Sequence, residues 1–361
     1  MRVFLYRSAE IDGDTNGDND QMADNFRAPA RKANDTVEIA FFFDRGVAPL
    51  AAVAAHSISV NRDRSRGYVL HVFHQGCSAG DLAPLAAAAA PGFDIRISEL
   101  APAGPGFPPG IHFQVLRLGS LLPAAHRVVY LDVDLVVLDD IGKLFDHPLD
   151  GAPLAAAVDR HIVYRRRRGS VLSLGRYEGS LDQHMTDVLR IEPAMHDAFF
   201  NSGVLLIDLD AFRRLGVEAA APGIVAEDDG RMWCRDQHVL NRLFATRAKR
   251  LDGRWNVIVP KSRRQERSYA AFGHPTPAEP AVIHFAGNKP WSHHVRPYAT
   301  IWWRYAFASP AARTIVRAFL AHPGPSRLQK AYSLLDWALR HAPALLGLLR
   351  GRPARAAAPA E

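Results

Sequence analysis

Short apolar runs alternate along this chain with segments whose apolar residues recur every three or four positions. The first run, Val37-Glu38-Ile39-Ala40-Phe41-Phe42-Phe43, is β-branched and aromatic and reads as a strand. Asp44-Arg45-Gly46 turns the chain, Pro49 opens a helix, and Leu50, Val53, Ser57 and Ile58 follow at helical spacing. Residues 68–74 form a second strand, so strand, helix and strand make a right-handed unit with a parallel sheet. Residues 83–90 read as an alanine helix stopped by Pro91-Gly92. The proline- and glycine-rich 101–110 reads as loop, and 111–122 as a helix ended by Pro123. Further strands are expected at 128–131, 154–158, 199–208 and 281–285. Further helices are expected from Asp210, whose side chain can cap one, at 236–244 and within 301–320. No internal repeat is visible. Strands alternating with helices predict an α/β fold with a mainly parallel central sheet, whose ligands bind beyond the carboxyl ends of the strands.

The most informative stretch is Arg127-Val128-Val129-Tyr130-Leu131-Asp132-Val133-Asp134-Leu135-Val136-Val137. Alternate residues of a strand share a face, so Asp132 and Asp134 point the same way. Two such carboxylates repel, and burying them unpaired costs several kcal/mol. A hard divalent cation removes both problems. Read alone, Asp-x-Asp also fits two solvated acids at a strand end, but apolar runs flank this one on both sides. Other polar residues close the predicted strands: Asp44, Asp159, Asn201 and His284. Singly they read as a turn acid, a turn amide or a core histidine; together they suggest a site. An imidazole beside two carboxylates shifts metal preference from Mg²⁺ toward Mn²⁺. Lys289 can reach a phosphate, and Gly287 lets the backbone approach closely. This is equipment for a nucleoside diphosphate held by metal and lysine.

Composition adds boundaries. The chain has 361 residues, 48% apolar and 22% charged, with a net charge of +7 that favours acidic partners such as a nucleotide, anionic lipid or nucleic acid. Cys77 and Cys234 make neither a disulfide framework nor a zinc signature, which points to a reducing compartment. No apolar run approaches the ~20 residues of a membrane span. A cytoplasmic protein is expected, with residues 1–36 a mobile leader and 351–361 a disordered tail. Two basic stretches stand out. Arg165 to Arg168 reads as a solvated or disordered run, or as a surface for an acidic acceptor or membrane. Residues 326–350 read as a helix docked on the core or lying on an anionic inner leaflet.

Five motifs occur in order: Tyr130-Leu131-Asp132-Val133-Asp134, then Phe200-Asn201-Ser202-Gly203-Val204-Leu205-Leu206-Ile207-Asp208, then Asp236-Gln237, then Arg254-Trp255-Asn256, then His284-Phe285-Ala286-Gly287-Asn288-Lys289-Pro290-Trp291. Their combination resembles glycosyltransferase family 8, retaining enzymes that include lipopolysaccharide galactosyl- and glucosyltransferases and glycogenin. The resemblance implies a GT-A, Rossmann-like fold over 37–300, followed by a C-terminal helical segment at 301–350. It implies Asp132, Asp134 and His284 as ligands of Mn²⁺ (or Mg²⁺) and a UDP-sugar as donor. By the same resemblance Asp44 lies beside uracil, and Asp159 and Asn201 contact the donor sugar. Asp236 and Gln237 border the anomeric carbon, and Gly287 and Lys289 form the diphosphate loop. The implied acceptor is a saccharide or glycolipid, not nucleic acid; the basic stretches, not the resemblance, suggest weak contact with an anionic membrane, and no oligomeric state follows.

Two departures stand out. One residue, Asn288, separates Gly287 from Lys289 where the family has two. Val115 stands where the family has an arginine, with Arg117 a candidate substitute. Since the position matching a nucleophile is Gln237, a same-face substitution is expected, in which the leaving diphosphate takes the acceptor's proton. Two rival readings remain: a phosphatase of the haloacid dehalogenase type, because Asp132-x-Asp134-x-Val136 fits its nucleophile motif, and a non-catalytic nucleotide-sugar sensor.

Overall fold

The computed structural model describes residues 36–175, 177–287, 289–292 and 298–321. The leader expected at 1–36, save its last residue, and the expected segments at 326–350 and 351–361 lie outside the described residues. Strand β1 (Thr36–Asp44) is buried along most of its length, and α1 (Ala48–Asn61), with proline in its first turn, crosses to β2 (Gly67–Gln75). β1 and β2 pair in parallel from Thr36↔Gly67 to Asp44↔Gln75, as expected. Helix α2 (Ala79–Ala86) starts and ends earlier than the alanine run suggests, because Ser78 and Asp81 form a capping box at its start. A strand absent from the predicted elements follows, β3 (Phe93–Glu99), pairing in parallel with β2 at the sheet edge. The segment expected as one helix at 111–122 is a 3₁₀ stretch (Ile111–Arg117) leading into a short α3 (Leu118–Leu121).

The acidic stretch lies between β4 (Arg127–Leu131) and β5 (Leu135–Val137), and α4 (Gly142–Phe145) leads to β6 (Leu154–Val158). The arginine run is no disordered segment. It forms the last turn of α5 (Arg160–Arg167), where the helix dipole favours cations, and Arg166 and Arg167 pair with Asp197. A hairpin, β7 (Val171–Leu174) and β8 (Tyr177–Ser180), and α6 (Leu181–Asp187) follow. β9 (Phe200–Asp208) then enters the sheet, and α7 (Leu209–Arg214) is capped by Asp208, which accepts from the Ala211 N–H at 2.8 Å. Asp210, the expected cap, pairs instead with Arg213 and His126. The rest comprises α8 (Val217–Glu227), α9 (Arg235–Phe244), β10 (Lys249–Arg250), β11 (Val257–Ile258), α10 (Arg263–Ala271), β12 (Val282–His284), α11 (Ala299–Ala308) and α12 (Ala312–Ala321).

The main sheet runs β10-β6-β9-β4-β1-β2-β3. It is mainly parallel, but β9 lies antiparallel between β4 and β6. A small second sheet runs β11-β12-β5. One face of the main sheet carries Val37, Ile39 and Phe41 against α1 and α11, whose Trp302 and Phe307 belong to the same core. The other face carries Phe42, Tyr130 and Leu205 against Phe212, Leu240 and Phe244. No helix among the described residues is long and apolar enough to cross a membrane.

Candidate active site

Backbone bonds on either side of Val133 pin the two acids. The Asp132 N–H donates to the Gly203 carbonyl at 2.8 Å, and the Phe285 N–H donates to the Asp134 carbonyl at 2.9 Å. β12 pairs with β5 so that His284 faces Leu135, directly after Asp134. Three ligand atoms, one each from Asp132, Asp134 and His284, therefore lie within 4.8 Å of one another. His284 Nε2 is 3.1 Å from Asp134 Oδ1 and 3.6 Å from Asp132 Oδ2.

Gly203 allows this convergence. A Cβ there would overlap the His284 ring and lie 2.7 Å from Asp132 Oδ2. It sits inside β9, not in a turn, and a glycine within a strand marks such close approach. Tyr130 donates its hydroxyl to Asp132 Oδ1 at 2.7 Å. Behind His284, Nδ1 lies 3.0 Å from Asn256 Oδ1, while Asn256 Nδ2 donates to Asn201 Oδ1 at 2.8 Å. That second bond orients the amide with its oxygen toward the histidine. Nδ1 must then carry the proton, and Nε2 is left to face the carboxylates.

The charges fit a cation site. Burial, and then the neighbouring Asp134, raises the Asp132 carboxyl above its ordinary range. Burial acts the same way on Asp134, but His284 and Lys289 outweigh it and hold that group low. For His284 burial opposes the charge, yet Asp134 and Asp132 raise its pKa. Two oxygens and one imidazole nitrogen converging at this spacing suit Mn²⁺ or Mg²⁺. Lys289 reaches the same place, paired with Asp134 and donating to the Phe285 carbonyl at 2.9 Å. Gly287, at φ +97°, adopts a backbone conformation that disfavours any side chain, although a Cβ would meet open space. The glycine thus serves the turn, and no described side chain crowds the space beside it. Asn288 lies outside the described residues.

The Asn201 amide joins this cluster to a second group. Its Nδ2 donates to Asp159 Oδ2 at 3.1 Å and to Gln237 Oε1 at 2.9 Å. Gln237 Oε1 also accepts from the Ser202 N–H at 3.1 Å, and Gln237 Nε2 donates to Asp159 Oδ2 at 3.0 Å. Asp159 Oδ1 caps α5 by accepting from the His161 and Ile162 N–H groups. Asp159 is therefore buried and fully bonded rather than a solvated turn acid. Asp236, beside Gln237, has its pKa pushed up to about 7 by burial and by the charge of Asp132.

Asp44 stands apart from these residues. It is exposed at the end of β1 and accepts from the Gly46 N–H at 3.0 Å. β1 and β4 run parallel, so Asp44 opens onto the same edge of the sheet as Asp132. Arg117, the candidate substitute for the missing arginine, is held by Glu218, Gln114 and the Ala101 carbonyl. Val115 is fully buried in the core.

Residues 106–294, more than half of the chain, match the description Glycosyl transferase family 8. The chain belongs to glycosyltransferase family 8. Among relatives of this family 8 protein, general stress protein A of Bacillus subtilis is 27% identical over 187 residues, 50% of this chain and 58% of the relative. Lipopolysaccharide 1,2-glucosyltransferase of Escherichia coli is 25% identical over 183 residues, 50% of this chain and 48% of the relative. The chain thus spans about half the length of these curated relatives. Among solved structures, an active-site mutant of LgtC aligns at a TM-score of 0.60 and 25% identity, covering 76% of this chain and 96% of LgtC. The bifunctional glycosyltransferase WbbM aligns at 0.68 and 19%, covering 81% of this chain and 53% of WbbM. The family match and these GT-A neighbours decide against the phosphatase reading.

Proposed function

We propose that this family 8 member is a retaining transferase that moves a hexose from a UDP-sugar to a hydroxyl of a saccharide acceptor. The observation that carries the reading is the continuous hydrogen-bonded path from the Asp132, Asp134 and His284 cluster through Asn256 and Asn201 to Asp159 and Gln237. It links a cation site to a buried polar group, the pairing that a sugar diphosphate donor would need. Asp132, Asp134 and His284 would hold Mn²⁺ or Mg²⁺, which when bound stabilises negative charge on the departing diphosphate. Lys289 turns from Asp134 to the diphosphate and adds positive charge there. Asp44, at the open edge, is assigned to the uracil side, and Asp236 and Gln237 to the anomeric carbon.

Gln237 is a poor nucleophile by chemistry and by placement, since its Oε1 already accepts two hydrogen bonds. The acceptor hydroxyl oxygen therefore bonds to the anomeric carbon as the carbon–diphosphate bond breaks on the same face. The hydroxyl proton passes to the departing diphosphate oxygen, and Gln237 and Asp159 hold the sugar while positive charge develops on it. The test is UDP release from UDP-glucose and UDP-galactose with Mn²⁺, followed by NMR of the product. Turnover lost in EDTA and an α linkage support the reading; activity persisting in EDTA, or a β linkage, overturns it.

A further inference from the structure

A cleft of about 360 Å³ opens between α5 and the start of α10, lined by His161, Tyr164, Arg165, Lys261, Ser262 and Gln265. Its volume falls in the range of small-molecule sites. Its lining carries two cationic side chains and no carboxylate. The neighbouring Arg166 and Arg167 are ion-paired, whereas neither Arg165 nor Lys261 is in an ion pair among the described residues. Arg165 instead lies over the Trp233 ring, 4.9 Å from its centroid.

The rest of the lining is organised. Gln265 Oε1 accepts from the Lys261 N–H, which fixes the turn that presents Lys261. The same orientation puts Gln265 Nε2 at 3.2 Å from His161 Nδ1, so that nitrogen accepts and Nε2 carries the ring proton. Burial, with the charges of Lys261 and Arg165, lowers the His161 pKa against the opposing charge of Asp159. Its ring stacks with Tyr164 at 6.4 Å between centroids. A cleft with an aromatic wall, a ring N–H donor and two cations without a carboxylate partner among the described residues suits an anionic sugar, whose ring lies on the wall while charge-assisted bonds hold its acid group.

The cleft is anchored to the reaction centre. The His161 N–H donates to Asp159 Oδ1 at 3.0 Å, and Gln237 bonds to the other oxygen of that acid. Arg160 ties α5 to the Ile258 carbonyl, on the strand that pairs beside His284 and runs on toward Lys261. Building on the transferase reading, we propose that this cleft is the acceptor site and that the acceptor is an anionic saccharide, its carboxylate or phosphate held by Lys261 and Arg165 and its ring lying on Tyr164.

The experiment is calorimetric titration of the full chain, with Mn²⁺ and saturating UDP, by glucose 6-phosphate, glucuronic acid, glucose and inorganic phosphate. Glucose 6-phosphate or glucuronic acid should bind about tenfold or more tightly than glucose, the better of the two identifying the acid group. K261M and R165Q should each weaken that binding about tenfold, and K261R should restore most of it. Acids that bind no better than glucose, or bind K261M and R165Q as they bind the wild type, overturn the proposal. So does inorganic phosphate binding as tightly as the sugar phosphate, which would leave an anion site without a sugar site. Failure of the transferase reading has a separate signature: no UDP binding and no UDP release.

Discussion

The two sides of the central sheet handle burial differently. On the β1–α1–β2 side the interior is almost wholly apolar. α1 buries Ala51, Ala52, Val53, Ala54, Ala55 and Ile58, and its small side chains let strands approach it from several sides. One of its two buried hydroxyls, Ser57, accepts from the Val137 N–H at 2.9 Å and ties α1 to β5. On the β4–β9–β6 side the strand ends bury Asp159, Asn201, Ser202, Gln237, Asn256 and His284. Each of these polar groups is tolerated because another satisfies it, and an unmet partner costs ~1–3 kcal/mol. The first side should therefore lose stability when altered, and the second should lose function, in part through residues such as Asn256 that orient the others without touching the substrate.

The largest test of that contrast is Asp134→Ala. Turnover should fall by about a thousandfold or more while the folded state persists, read by UDP release and by circular dichroism. Gly203→Ala adds only a methyl group, yet it should cost about a hundredfold in activity and comparably in Mn²⁺ affinity. Electron paramagnetic resonance of free Mn²⁺ would measure this, and binding as in the wild type would show that His284 can move aside. On the apolar side, Ile58→Ala should destabilise by ~3 kcal/mol in urea and leave Mn²⁺ affinity of the folded protein unchanged. Asn256→Leu should cost ~1–3 kcal/mol of stability but mainly weaken Mn²⁺ binding, about 10–100-fold, by releasing the Nδ1 proton of His284 from its acceptor. An unchanged affinity would mean that the histidine orients without Asn256.

The smallest effect concerns acid. Asp228 is buried; burial raises its carboxyl, but His238 and Arg242 outweigh burial and hold it below the ordinary range. The folded state thus binds fewer protons here than the unfolded chain. The contribution is complete above the usual carboxylate value of about 4 and is lost as pH falls through the lower folded value. Urea midpoints measured across that window should drop in the wild type. Asp228→Asn should be less stable at neutral pH and lack this part of the slope.

Much of this architecture is legible in the amino-acid sequence. The strand–helix–strand opening, the two acids between apolar runs and the ordered motifs through His284 all have local signals, because apolar periodicity and short polar motifs are local properties. Other features carry fainter signals of the same kind. β3 alternates Phe93, Ile95 and Ile97 with polar residues, and Gly203 stands inside an apolar strand, where a glycine marks close approach. The arginine run carries no local sign of which member is paired. Asp182 and Asp197, which take Arg166, come from α6 and the turn after it.

By itself, the sequence determined which residue types stand at the strand ends and that two acids lie one residue apart between apolar runs. Tertiary structure alone decided which polar atoms satisfy one another. Asn256 meets His284 because β11 and β12 lie side by side, and Asn201 meets Asp159 because β9 runs antiparallel to β6. It also decided that Arg117 is spent on Glu218 while Lys261 and Arg165 meet no carboxylate among the described residues beside one cleft. The reason is physical: apolar burial depends on how much surface each residue hides, which composition and period reveal. A buried hydrogen bond needs its partner within about 3 Å at a set angle, and that partner can come from anywhere in the chain.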